Sequence, residues 1–210
     1  MIIVLKGADG SGKSTQAKKL YEHLTKKGYE CELMKFPYYD SATGKKIKKY
    51  LDCELKMTTL EFTRAQYENK LEKNETIQKY LNEGKIIILD RYSLSTYVYA
   101  AANYDEPERT KIISTVKNWQ KNLVKISLGF FLDLPLKISN ERTGERAENK
   151  DLFEKNNEYM KKVYEVYKTE AEKEGYAIIN CANHEGLQNS RDEIFKEILN
   201  SIKSKTSLNV

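Results

Sequence analysis

The chain has 210 residues, 40% of them hydrophobic and 32% charged, and its formal net charge at pH 7 is +5. This length and composition predict one α/β domain with a sizeable core, and no apolar run is long enough to span a membrane. The lysines alternate with glutamates along helical faces, which is typical of solvated helices. We therefore expect neither nucleic acid nor a membrane as a partner.

The cysteines Cys31, Cys53 and Cys181 are odd in number and far apart, so we expect reduced thiols in a cytoplasmic protein. The chain begins directly with an apolar strand pattern, which predicts that no signal or transit peptide precedes it. His23 and His184 have no partners at metal-ligand spacing, and a zinc-type site is therefore not expected.

Apolar runs alternate with segments of helical period, which predicts a doubly wound, five-stranded parallel sheet with helices on both faces. Capping boxes at Thr58 with Glu61 and at Ser190 with Glu193 mark two helix starts. The predicted strands are 2–5, 29–36, 86–89, 126–134 and 176–180. The predicted helices are 13–27, 45–51, 58–82, 93–102, 135–142 and 152–173, with two more beginning at 107 and 190. We expect a polar lid segment over about 142–151 and a frayed tail from about 204.

The first strand leads into the sequence GADGSGKS, which fits the phosphate-binding pattern G-x-x-x-x-G-K-[ST]. Glycines let the backbone bring successive N–H groups onto phosphate oxygens, and the following helix adds partial positive charge. We expect Lys13 to contact the β- and γ-phosphates of a nucleotide, and the Ser14 hydroxyl to bind Mg²⁺. The predicted ATP-binding residues are Gly7, Ala8, Asp9, Gly10, Ser11, Gly12, Lys13, Ser14 and Thr15, joined by Arg142.

Polar residues follow the central apolar strand, at the edge where ligands bind in such folds. Asp90 is placed to hold Mg²⁺ directly or through water, and Arg91 to bind a phosphate. Ser95 and Tyr99 follow at helical spacing on the same side. Asp9, inside the phosphate loop, either accepts a hydrogen bond from the sugar of a second substrate or supports Mg²⁺ through water.

Two further segments complete the predicted site. Phe36 and Pro37 follow the second strand, where aromatic side chains, including Tyr39, can form the wall of a base-sized pocket. Arg142 and Arg146 lie at the lid segment, where arginines can neutralise a phosphoryl group in transfer. Lys150 lies beyond these arginines, and we expect Asp151 and Glu154 to anchor the lid.

With these motifs the chain resembles the thymidylate kinases, a family of P-loop nucleoside monophosphate kinases. The resemblance covers nearly the whole chain: the phosphate loop with Asp9, Phe36-Pro37, Asp90-Arg91-Tyr92 with Ser95 and Tyr99, and the lid segment. It implies a homodimer with ATP–Mg²⁺ as phosphoryl donor and dTMP as acceptor. By this resemblance the catalytic residues are Lys13, Arg91, Arg142, Arg146 and Asp9. The dTMP-binding residues are Asp9, Phe36, Pro37, Tyr39, Gln66, Tyr67, Lys70, Arg91, Ser95 and Tyr99.

The chain departs from the family pattern at positions that contact the acceptor base. Lys70 stands where the family usually has an arginine that binds the thymine carbonyl. Gln66, with Tyr67 beside it, stands where an aromatic residue usually stacks on the base, and Ala100 replaces a glutamine. Lysine donates a hydrogen bond as a point charge, without the planar fork of arginine. These changes leave open a broader range of acceptors.

Two other functions remain open from the residues. A deoxynucleoside kinase also combines a P-loop with an acidic-arginine motif after the third strand, but it phosphorylates a nucleoside. A nucleotide-dependent switch protein would bind nucleotide without transferring a phosphoryl group. Asp9 and Phe36-Pro37 favour the monophosphate kinase over the first alternative, and the two lid arginines favour a transferase over the second.

Overall fold

Five parallel strands form one sheet in the order β2-β3-β1-β4-β5. The computed structural model describes residues 1–144, 152–153, 156–183 and 187–210, with the backbone alone at 143 and 144. The parallel sheet with flanking helices confirms the predicted fold class. The strands are β1 (Ile2–Gly7), β2 (Cys31–Lys35), β3 (Ile86–Asp90), β4 (Leu128–Asp133) and β5 (Ala177–Asn180).

Helices connect the strands and cover both faces of the sheet. They are α1 (Lys13–Lys26), α2 (Ala42–Leu51), α3 (Thr59–Leu71), α4 (Asn74–Asn82), α5 (Ser93–Ala101), α6 (Glu108–Trp119), α7 (Leu136–Gly144), α8 (Asn157–Lys173) and α9 (Arg191–Lys205). A short 3₁₀ turn, Gln120–Asn122, extends α6. Within the described residues, none of these helices is long and apolar enough to cross a membrane.

Strand β1 is buried along its whole length because its two faces pack into different clusters. Ile3 and Leu5 pack with the apolar faces of α1 and α9. Ile2 and Val4 point to the opposite face, where Phe36 belongs to the same cluster. A central parallel strand covered on both sides reads as a continuous apolar run, which is why the sequence predicted it well.

The prediction of a single helix over 58–82 is wrong, because the chain forms two helices, α3 and α4, with a break at Glu72 and Lys73. Neither glycine nor proline marks the break. The Asn74 side chain instead donates to the Asn122 carbonyl at 2.6 Å and accepts from the Val124 N–H at 3.1 Å. The start of α4 is therefore set by a tertiary contact, which the local sequence pattern cannot predict.

The end of the chain also differs from the expected frayed tail. Helix α9 continues to Lys205, and Val210 is buried in the cluster between the sheet, α1 and α9. The Asn209 N–H donates to the Tyr29 hydroxyl at 3.0 Å. Helix α8 begins at Asn157, later than expected, and the lid residues 145–151 lie outside the described residues.

The Thr58 capping box starts α3, the helix that carries Gln66 and Lys70. Thr58 Oγ1 accepts from the Glu61 N–H at 3.2 Å, and Glu61 accepts from the Thr58 N–H at 2.8 Å. We expect Thr58→Ala to lower the free energy of unfolding by about 1 kcal/mol because the first turn loses its cap. Thr59→Ala, one residue later, should change it by less than about 0.5 kcal/mol. Equal losses in urea denaturation would contradict the capping role.

Candidate active site

The candidate site lies at the carboxyl ends of the neighbouring strands β1 and β3. The connection after β1 crosses β3 to reach β2, whereas the connection after β3 crosses β1 to reach β4. This reversal opens a crevice at that edge, where doubly wound folds bind ligands. Because Leu5 and Asp90 are paired in register, the phosphate loop and the Asp90-Arg91 motif meet there.

The phosphate loop has the backbone geometry that its glycines predict. A Cβ at Gly7 would lie 2.6 Å from Ser11 Oγ and 2.8 Å from the Leu132 carbonyl oxygen, so only glycine fits. Gly12, the residue before α1, has a φ of 84° and provides no side-chain cap, and the first turn of α1 contains no acidic residue. The N–H groups of this turn are therefore left to an anionic ligand.

The Asp9 carboxylate joins two cations from different elements. Its Oδ1 accepts from Lys13 Nζ at 2.8 Å and from the Arg91 guanidinium. Burial alone would raise the pKa of Asp9, but Arg91 and Lys13 outweigh that effect and hold it well below its usual range. Lys13 also donates to the Ala8 carbonyl at 3.2 Å, so it is held inside the loop.

Arg91 has an unusual backbone for a residue with a side chain. Its φ is 67°, in the left-handed region, and its N–H donates to the Leu5 carbonyl at 3.1 Å. Such a conformation costs about 1–2 kcal/mol in a residue other than glycine. The ion pair with Asp9 and the hydrogen bond to Leu5 offset this cost, and together they point the guanidinium into the crevice.

Ser14 and Asp90, the predicted magnesium ligands, are in contact. Ser14 Oγ donates to Asp90 Oδ2 at 2.5 Å, and Asp90 Oδ1 is buried without a partner among the described residues. A hydroxyl and a carboxylate are hard oxygen ligands that suit Mg²⁺, so the residues present fit this ion. The described residues contain no cluster of three or more acidic, histidine or cysteine ligands, and nucleotide phosphates and water would complete the coordination.

A cavity of about 220 Å³ lies beside Asp9. Its wall contains most of the residues predicted to bind the acceptor: Asp9, Phe36, Pro37, Tyr39, Gln66, Lys70, Arg91, Ser95 and Tyr99. Lys35, Leu51, Phe62 and Phe153 also line it and were not predicted. We refer to this space as the acceptor cavity.

Tyr67 was wrongly placed in the acceptor site. Its side chain is buried in the core next to Trp119, and its hydroxyl accepts a hydrogen bond from Asn122. Phe62 supplies an aromatic wall instead, one helical turn before Gln66 and on the same face of α3. The spacing of four residues between Phe62, Gln66 and Lys70 is a sequence signal that could have found it.

Phe153 completes this aromatic wall from beyond the lid segment. Its ring lies 5.4 Å from that of Phe62 and 5.5 Å from that of Tyr99, measured between ring centroids. No local sequence pattern predicts this contact, because Phe62, Tyr99 and Phe153 are far apart in the chain.

Lys70 is buried at the acceptor cavity without a carboxylate partner among the described residues. Its Nζ donates to the Gln66 carbonyl at 2.9 Å and lies 5.8 Å from the centroid of the Phe36 ring. Burial, and then the positive charge of Arg91, lower the pKa of Lys70 to about 7.

Helix α7 brings the start of the predicted lid to the phosphate loop. Ser139 Oγ donates to the Asp9 carbonyl at 2.6 Å, and the half-buried Arg142 follows within the last turn. Arg146, Lys150, Asp151 and Glu154 lie outside the described residues, so their placement stays a prediction.

The model of the thymidylate kinase family matches residues 5–194 of the chain. The chain belongs to the thymidylate kinase family. A thymidylate kinase of Leptospira interrogans serogroup Icterohaemorrhagiae is 32% identical over 98% of this chain and 97% of its own length. A thymidylate kinase of Plasmodium falciparum is 29% identical over 93% of this chain and 88% of its own.

A solved thymidylate kinase from Candida albicans has the same fold. It superposes with a TM-score of 0.79 at 25% identity, covering 97% of this chain and 91% of the other. That structure is described as revealing the origin of broad substrate specificity and a novel structural element. The chain thus shares a family and a fold with these kinases.

We expect the Asp9 ion pairs to stabilise the fold measurably. Asp9→Asn should lower the free energy of unfolding at pH 7 by about 1–3 kcal/mol, because two partly buried cations lose their shared carboxylate. Since the pKa of Asp9 is depressed in the folded state, this contribution is present above pH of about 4 and is lost as the pH falls below it. Urea denaturation at pH 7 and at pH 3 measures the difference.

Asp192→Asn is the matched control, because the exposed Asp192 at the start of α9 pairs with Lys19 of α1. The loss should be clearly smaller there, since water and salt screen exposed ion pairs. An Asp9→Asn protein as stable as the wild type at pH 7 would contradict the role of Asp9.

Proposed function

We propose that the chain transfers the γ-phosphoryl group of ATP to dTMP, giving ADP and dTDP. The observation that carries this proposal is the Asp9 carboxylate, which joins Lys13 of the phosphate loop to Arg91 of the acceptor cavity. Donor and acceptor phosphates placed on these two cations would lie side by side, as an in-line transfer requires. Membership of the thymidylate kinase family supports the choice of dTMP.

On the donor side, the phosphate loop and the first turn of α1 would hold the ATP phosphates. Lys13 would leave the Ala8 carbonyl and contact the β- and γ-phosphates, while Asp9 keeps it oriented. Ser14 and Asp90 would hold Mg²⁺, which neutralises phosphate charge when bound. Arg142, with Arg146, would close over the transferring group and offset its negative charge.

On the acceptor side, Arg91 would bind the monophosphate and Asp9 the sugar hydroxyl. The rings of Phe62 and Phe153 provide apolar surface for the base, and Lys70 provides one hydrogen-bond donor. The transition state for phosphoryl transfer is loose, so catalysis depends on position and charge, and no covalent intermediate on the protein is required.

A broader acceptor range is the second candidate within this reaction. Lys70 is a single point-charge donor, and Gln66 occupies the cavity wall where an aromatic ring was expected. The relative from Candida albicans carries the description of broad substrate specificity. The enzyme would then discriminate less between thymine and other pyrimidines than an enzyme with an arginine at the position of Lys70.

We also propose that the enzyme is a cytoplasmic homodimer. Cys31, Cys53 and Cys181 are free thiols, which suits a reducing compartment. The apolar face of α6 is only partly available for a dimer contact, because Val116 is fully buried in the core. Leu60 on α3 is 42% exposed next to a concave surface that includes Trp119, and this surface is our candidate for the dimer contact.

A coupled ADP-release assay with ATP and Mg²⁺ tests the function. We expect turnover on dTMP at about 1–100 s⁻¹, lower turnover on dUMP, dCMP, dGMP and UMP, and none on thymidine. Lys13→Met should remove at least ~99% of the activity, which ties turnover to this site. Similar rates on several monophosphates would support the broader range. Phosphorylation of thymidine alone would indicate a nucleoside kinase, and absence of acceptor-dependent ADP would contradict the proposal.

Acceptor binding should depend on pH through Lys70. Above pH of about 7 the Lys70 amine is neutral in the empty site. It must then take up a proton before it can bind the acceptor as an ammonium group. The KM for dTMP should therefore rise by about tenfold or more between pH 7 and pH 9. Lys70→Arg should flatten this profile because its guanidinium stays charged. A profile identical in the wild type and in Lys70→Arg would contradict the role of Lys70.

A further inference from the structure

Lys6 is a fully buried lysine in the most central strand of the sheet, and neither the sequence patterns nor the proposed roles above account for it. Side chains alternate along β1, so Lys6 points to the same face as Ile2 and Val4. That face carries the acceptor cavity. A buried amine is costly unless it has partners or a ligand to serve, so its presence there requires a cause.

Its one hydrogen bond among the described residues fixes a residue of the acceptor cavity. Lys6 Nζ donates to Ser95 Oγ at 2.9 Å, and Ser95 Oγ donates to the Tyr92 carbonyl at 3.1 Å. The Ser95 proton and one of its lone pairs are therefore in use. Ser95 lines the acceptor cavity, so Lys6 fixes how its hydroxyl is presented there.

The charges around Lys6 are mostly positive. The positive charges of Lys70 of α3, Arg91 after β3 and Lys13 of α1 act on it, and the negative charge of Asp90 opposes them. Burial, followed by the charges of Lys70 and Arg91, holds the pKa of Lys6 well below its usual range. No described carboxylate lies within ion-pair distance of Lys6 or of Lys70. The nearby carboxylate of Asp9 is paired with Lys13 and Arg91.

An anionic acceptor would offset this excess of positive charge, whereas an uncharged nucleoside would not. We propose that Lys6 is a positioning and specificity-determining residue: it orients Ser95 and places an amine without a carboxylate partner behind the acceptor cavity. An anionic acceptor stabilises the charged form of this amine, which favours a nucleoside monophosphate over a nucleoside. This inference rests on the proposed function, since it concerns the same cavity.

Calorimetric binding of dTMP and of thymidine, measured apart from turnover, tests the inference. We expect Lys6→Met to weaken dTMP binding by about tenfold or more, and thymidine binding by less than about threefold. Lys6→Gln keeps a hydrogen-bond donor for Ser95 without the charge, and we expect it to lose less dTMP affinity than Lys6→Met but to bind dTMP clearly more weakly than the wild type. Lys85→Met, at the opposite edge of the sheet, makes the same chemical change and should leave both affinities unaltered.

A double-mutant cycle with Ser95→Ala tests the positioning part. Ser95→Ala should weaken dTMP binding in the wild type but change it by less than about twofold in Lys6→Met, because the two residues act together. Equal loss of dTMP and thymidine affinity in Lys6→Met, unchanged dTMP affinity, or full rescue by Lys6→Gln would overturn the inference. Wild-type protein that binds dTMP but does not phosphorylate it would instead contradict the proposed function alone.

Discussion

Asp9 accepts hydrogen bonds from Lys13 and Arg91 through the same carboxylate oxygen, and the arrangement of the site depends on this shared anion. The two cations come from segments that are 78 residues apart in the chain, counted from 13 to 91. Without the carboxylate they would repel each other in a partly buried crevice, where charges are poorly screened. The parallel pairing of β1 with β3 makes the contact possible, because it aligns Leu5 with Asp90 and so places both segments at one edge.

Around this anion, the described part of the site carries more positive than negative charge. Lys6 and Lys70 are buried, and neither has a carboxylate partner among the described residues. A protein that only had to be stable would replace such amines with apolar side chains, since a buried amine without a carboxylate partner is destabilising, whether it carries its charge or loses its proton.

The sequence predicted those parts of the structure that local rules determine. The phosphate loop, the apolar run of β1 and the capping box at Thr58 each depend on neighbours within a few residues. Helix α3 shows where such rules stop. It is buried on several sides, so its apolar pattern has no clear face, and Tyr67 could not be distinguished from a residue of the cavity. Its break before Asn74 depends on contacts with residues 122 and 124, which no window of sequence around the break contains.

Lys6 and Phe153 were missed for a different physical reason. A lysine at the end of an apolar strand is usually exposed, whereas Lys6 is fully buried and donates to Ser95 of α5, a tertiary contact that the strand pattern does not contain. Phe153 reaches the cavity from a segment with no regular pattern, and its role depends on ring contacts with Phe62 and Tyr99. Phe153 lines the acceptor cavity and Lys6 holds Ser95 of its wall, whereas the phosphate loop follows a local motif. The predicted donor site can therefore be recognised in the sequence, whereas the acceptor selectivity that we propose depends on tertiary contacts around Lys6, Lys70 and the aromatic wall.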